Sequence, residues 1–242
     1  MNLVRIGNVI AAELDKLRTL PAATLTALGT ILTGILLAAA LAAADQHVEA
    51  TATTVTLRSV PFVQVGFVLL GILPMAHEYT GRQIRVTLSA IPRRSILLAG
   101  KITATALTLV LTAAVTGAAS TAAAALTLRS LGAFREMTAD DLWHLAGTTC
   151  YLTLIGLISH AAAVLVRHLI PALVSVLGLI LILSPLLAGL TEHARWLPDR
   201  AAAQVYDPHD TMLTAGTGLL VALAWIVLIA ATGATRFIRR DP

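Results

Sequence analysis

His77 and Glu78 stand side by side, as in the helix that gives zinc proteases two imidazoles and a general base. That chemistry needs HExxH, and position 81 is Gly81, so no zinc pair forms. Gly100-Lys101 resembles the end of a phosphate-binding loop. GxxxxGK[ST] would need a glycine at Ser95 and a hydroxyl at Ile102, so the chain has no such loop to hydrolyse ATP itself. Cys150 is the single cysteine, and no Cys/His metal spacing accompanies it; it reads as a small buried side chain. His160 and Gln64 are different, because they sit inside apolar runs. His160 is either a hydrogen-bonded packing histidine or a proton site, and no Asp or Glu near mid-span offers it a partner. Gln64 either lines a pathway or bonds across helices. The expectation is no catalytic set, no metal site and no enzyme.

These residues lie in an unusual background. Of 242 residues, 57% are hydrophobic and 12% are charged, about half the charge of a soluble domain. Mean hydropathy is +0.84. The chain reads as an all-α polytopic membrane protein. The pI near 9.8 does not point to nucleic acid, because the basic residues flank apolar spans, as bilayer orientation requires. The first twenty residues are interrupted by Glu13, Asp15, Lys16 and Arg18, and do not read as a secretory signal.

A membrane helix needs about 20 apolar residues. Six stretches of a single domain qualify: 21–44, 60–76, 96–126, 142–166, 169–190 and 212–235. The second is short. The third, at 1.5 Å per residue, reaches about 45 Å and should tilt or project. Arg167 and His168 leave only a tight hinge between the fourth and fifth, an antiparallel hairpin. In 1–20, Leu3, Ile6, Ile10, Leu14 and Leu17 share one helical face, predicting an amphipathic helix in the membrane interface. Pro21 allows the turn into the first span. With both termini cytoplasmic, twelve of the seventeen Lys and Arg lie inside and five outside: Arg58, Arg129, Arg135, Arg195 and Arg200. Lys101 then snorkels from the start of the third span.

Nine span glycines predict close helix packing: Gly29, Gly34, Gly66, Gly71, Gly117, Gly156, Gly178, Gly216 and Gly218. In the outer segment 191–211, Trp196 and Tyr206 are expected interfacial anchors, with a short helix at 201–205 capped by Asp199.

The most polar long stretch is HEYTGRQIRVTLSAIPRRS, 77–95. Residues 78–81 read as a turn-like exit from the second span. Residues 83–91 can form a short helix with Ile84, Leu88 and Ile91 on one face. Pro92 stops it, Arg93 and Arg94 sit at the membrane surface, and Ser95 can cap the third span. Such a segment is either a lever that docks on a partner, or a device that fixes topology and binds anionic lipid.

Three segments resemble the permease subunit of type-2 ABC transporters with a separate ATPase chain: AAELDKLRTLPAAT (11–24), EYTGRQIRVTLSAIPRRSILLAGK (78–101) and WLPDRAAAQVY (196–206). Asp15 departs from the aromatic or polar residue often found there. The resemblance implies an exporter in the plasma membrane whose two permeases, identical or siblings, surround a pathway for a hydrophobic or amphipathic compound such as a drug, antibiotic, peptide or lipid. Two ATPase subunits would carry ATP and Mg. Residues 83–91 would be the coupling helix, with Glu78, Gly81, Arg82, Ile84, Arg85, Leu88, Ile91, Pro92, Arg93 and Arg94 as coupling residues. The N-terminal helix, with Glu13, Lys16, Leu17 and Arg18, would also touch the ATPase. The competing expectation is a non-transporting anchor or sensor that recruits a cytoplasmic partner through 77–95.

Overall fold

The computed structural model describes residues 3–44, 51–80, 94–208 and 212–239. Among them the chain is all-helical, with no strand. The helices are α1 (Leu3–Thr19), α2 (Pro21–Ala44), α3 (Ala52–Thr80), α4 (Arg94–Ser130), α5 (Ala139–Val166), α6 (Leu169–Gly178), α7 (Ser184–Leu190), α8 (Pro198–Ala203) and α9 (Ala215–Arg239). A π turn, Leu179–Leu183, joins α6 to α7, and a 3-10 turn, Glu192–Trp196, precedes α8. Six segments are long and apolar enough to cross a membrane: α2, α3, α4, α5, the α6–α7 unit and α9. The chain is a six-span, multi-pass membrane protein.

The second span is longer than its hydropathy indicates. Residues 52–59 are rich in Thr and Ser, which hides them from an apolar count, yet α3 includes them. Thr56 Oγ1 donates to the Ala52 carbonyl at 2.9 Å, and Ser59 Oγ to that of Thr56 at 2.7 Å. The Thr56 and Thr121 hydroxyls meet at 3.2 Å between α3 and α4. Polar side chains whose hydrogen bonds close inside the bundle need no water. At its other end α3 stays helical through Glu78 to Thr80, where a turn was expected.

The third span is also longer than 96–126. It has 37 residues, about 55 Å at the α-helical rise, and Ser95 lies within α4 instead of capping it. A capping box at Thr138 and Asp141 starts α5. The hinge after α5 is as tight as expected: Arg167 is left-handed (φ 64°) and His168 extended. The π turn falls just before Pro185, which has no N–H to return to Leu181; Ser184 N instead donates to the Leu179 carbonyl, five residues back. Leu197 is the N-cap of α8, and Asp199 sits in its first turn without capping it.

The core is apolar and centred on α3, α4 and α5, with Phe67, Val68, Ile72, Leu109 and Ile155 fully enclosed. Some of the span glycines are where helices pack closely. A Cβ on Gly71 would lie 2.1 Å from the Gly156 carbonyl oxygen, and one on Gly66 2.0 Å from Thr30 Oγ1. Gly29, Gly117, Gly178 and Gly216 face open space, so only part of the glycine set is a packing set.

Contacts between α3 and α5 run in register, Gln64 with Tyr151 and Gly71 with His160, so these two helices are parallel. Gly233 of α9 packs on Val164 and Leu165 near the end of α5, while α1 joins the end of α3. The described beginning and end of the chain therefore lie at one end of the bundle. Segment 191–208 covers the other, through Tyr206 on His144 and Ala201 on Gly218.

Candidate functional site

Helix α1 buries one line of side chains, Val9, Glu13 and Leu17, at spacings of four. The expected apolar stripe is correct at Leu17, while Ile6, Ile10 and Leu14 flank the buried line. The centre of that line is a carboxylate. Gly100 of α4 makes the approach possible, because a Cβ there would lie 2.5 Å from Val9 Cγ1. This brings Glu13, only 6% exposed, to the first turns of α4.

There it meets Lys101. Instead of snorkelling, Lys101 is 1% exposed. Its Nζ donates to Glu13 Oε2 at 2.8 Å and, over a short contact, to Glu78 Oε1. Lys16 Nζ closes the ring, 2.7 Å from Glu13 Oε1 and 3.1 Å from Glu78 Oε1. Two carboxylates and two ammonium groups thus bind α1, the end of α3 and the start of α4 to one another. Snorkelling loses because two carboxylates reach the ammonium inside the protein, and burying a charge is tolerable only when it is paired and hydrogen-bonded. Glu78 Oε2 is buried and accepts no hydrogen bond among the described residues.

Burial alone pushes the Glu13 carboxyl up, but Lys101 and then Lys16 more than offset it, leaving Glu13 below its ordinary range. Burial likewise pulls Lys16 down, and Glu13 and Glu78 more than offset that, leaving it raised. The signs define a pH window. A depressed acid stabilises the fold above its unfolded value, here 4.5, and loses that contribution as pH falls through the folded value. A raised base contributes fully below its unfolded value, here 10.5, and loses it as pH climbs through the folded value. The docking of α1 is therefore expected to hold between about pH 5 and 10 and to fail first on acidification. A spin-label distance between α1 and α4, followed across pH, checks this; docking no weaker at pH 3 than at pH 7 contradicts it.

The mid-span candidates are both held by hydrogen bonds. Gln64 Oε1 accepts from Tyr151 Oη at 2.6 Å, and its Nε2 donates to the Pro61 carbonyl at 3.0 Å. It bonds across helices. His160 is 2% exposed, with Nδ1 3.0 Å from the Gly71 carbonyl. A carbonyl only accepts, so Nδ1 carries the proton. His160 Nε2 has no partner among the described residues, and the residue lines a small cavity with Leu98, Ile102 and Ala161.

Sequence reasoning missed the Tyr151 partner of Gln64, and it sent Tyr206 to the interface. Tyr206 is instead 9% exposed, its ring 4.8 Å from that of Tyr151. Trp196 is half exposed, and its carbonyl accepts from Trp225 Nε1 at 2.9 Å. Of the other coupling candidates, Gly81, Arg82, Ile84, Arg85, Leu88, Ile91, Pro92 and Arg93 lie outside the described residues; Arg94 opens α4, and Arg18 is exposed on α1.

Among the described residues no group of three or more His, Cys, Asp or Glu comes together that could hold a metal. The paired cluster ties three helix ends together. Fold and site together define a six-span helical membrane protein whose surface helix is ionically locked to its spans. No family model matches the chain, and no curated protein matches it.

Proposed function

We propose that the chain is the permease subunit of an ATP-driven type-2 ABC exporter. The observation that carries this reading is the ion cluster. Glu13, Lys16, Glu78 and Lys101 lock α1 to the two helix ends that bracket 81–93. A cytoplasmic partner gripping 83–91 would pull on α3, α4 and α1 as one body. This is the mechanical linkage an ATPase needs if it is to act on membrane spans it does not enter. ATP binding can bias a pathway only through contacts that differ between states, and a rigid joint transmits such a difference without dissipating it.

On this reading both termini are cytoplasmic, as the twelve-to-five division of Lys and Arg favours. Two ATPase subunits hold ATP and Mg. A second permease, identical or a sibling, completes the pathway in the plasma membrane. The cargo is hydrophobic or amphipathic, and this chain is not itself an enzyme.

A mild-detergent pull-down from the native host, assayed for ATP hydrolysis, tests the reading. The expected result is a soluble ATPase in the eluate, lost when Arg85 and Leu88 are replaced. A Gly-Gly insertion after Leu88 is expected to cut export by about 5- to 150-fold, the span of typical coupling free energies, while leaving membrane insertion intact. Recovery of the intact chain without an ATPase, or unchanged export, would reject the exporter and favour a membrane anchor or sensor that recruits a partner through 77–95.

A further inference from the structure

A cavity of about 190 Å³ opens beside the ion cluster, between α1 and the end of α3. Leu17, Leu20 and Pro74 form its apolar flank. Glu13, Lys16 and Glu78 form its charged wall, and Thr19 and His77 its polar rim. Two valences on this wall are unspent. Glu78 is 4% exposed and its Oε2 accepts nothing among the described residues. Lys16 Nζ has three N–H donors, contacts one oxygen each of Glu13 and Glu78, and its side chain is 46% exposed.

We propose that this pocket binds the head group of an aminophospholipid, with its ammonium on Glu78 and its phosphate on Lys16. Glu78, whose buried Oε2 lacks a donor among the described residues, and Lys16, a cation with a donor to spare, both line the cavity, so a zwitterion carrying both opposite groups is the complementary ligand. Ethanolamine supplies N–H donors; choline supplies none, so it leaves Glu78 Oε2 unsatisfied. A basic side chain from a protein would satisfy the carboxylate but face Lys16 without an anion for it. Location agrees. An amphipathic helix such as α1 lies at head-group depth, and the apolar flank gives the acyl chains a way out to the bilayer. The inference needs only that α1 lies along the membrane, and it is independent of the exporter reading.

The test is native mass spectrometry of the full chain, without an ATPase, released from bicelles of phosphatidylethanolamine and phosphatidylcholine, with the mono- and dimethylated lipids as intermediates. One site is expected to retain phosphatidylethanolamine about ten-fold over phosphatidylcholine, since one unmet hydrogen bond to a charged group is worth at least that factor. Retention should persist through the mono- and dimethylated lipids, which keep an N–H, and fall at the third methyl. Glu78→Gln is expected to abolish the preference, but it also disturbs the ion cluster. Thr19→Trp, on the exposed rim, fills the cavity without removing a charge; it should remove the preference and leave the unfolding midpoint unchanged. Equal retention of the two lipids by the wild-type chain would overturn the proposal and leave the pocket to a basic side chain of a partner. Preference surviving Thr19→Trp would also overturn it, by moving the lipid elsewhere.

Discussion

Lys101→Met is expected to destabilise the folded protein by about 3–5 kcal/mol, the usual cost of removing one partner from a buried ion group. The side chains are similar in length, so the loss is not one of packing. Lys101 is 1% exposed and is the only cation in contact with Glu13 Oε2 among the described residues. Without it, Glu13 and Glu78 stay buried around Lys16 alone, which is half exposed and already shared between them. At least one carboxylate must then take up a proton or leave with α1. Reversible unfolding in mixed detergent micelles gives the magnitude, and the spin-label distance between α1 and α4 gives the route. Adding Glu13→Gln and Glu78→Gln to Lys101→Met should recover much of the loss, because it removes every buried charge of the cluster and leaves only the half-exposed Lys16, which water can solvate. A loss below about 1 kcal/mol for Lys101→Met, the range of exposed pairs, would mean that water reaches the cluster and that α1 is held by Val9 and Leu17.

The contrast between Lys101 and Leu17 indicates what a sequence reveals here. Periodicity located α1 and its buried Leu17, because a 3.6-residue repeat is a local property. Six apolar runs located the spans for the same reason. Lys101 is not legible in that way. A lysine one turn inside an apolar run normally snorkels, and only the arrival of Glu13 from 88 positions earlier and Glu78 from 23 earlier reverses that. Nothing local announces those distances. Residues 52–59 failed for another reason: hydropathy charges every hydroxyl as if it met lipid, whereas Thr56 and Ser59 close their hydrogen bonds on the helix itself. Tyr206 failed because aromatic side chains near a span end favour the interface on average, and the ring of Tyr151 offers this one a better site.

The glycines carry the second large effect. Gly71→Ala adds one methyl, yet its expected cost is about 3 kcal/mol, the upper part of the usual range for overpacking. The obstacle is what the methyl meets. It would lie 2.1 Å from the carbonyl oxygen of Gly156 and 2.9 Å from that carbonyl carbon. These are backbone atoms of a packed helix and cannot rotate away as a side chain does. Helices α3 and α5 must separate instead, which also draws the Gly71 carbonyl away from His160 Nδ1, 3.0 Å distant, and leaves a buried imidazole without its acceptor. Gly29→Ala is the control. No atom lies within 4 Å of its Cβ position, and alanine is the better helix former by about 0.5–1 kcal/mol, so it should be neutral or stabilising. Both variants can be read in the same micelle unfolding assay. Equal effects would show that α3 and α5 are not in backbone contact at Gly71. A large loss for Gly71→Ala alone would make that crossing the pivot about which the spans pack, and the place where any motion delivered through the Glu78 end of α3 must pass.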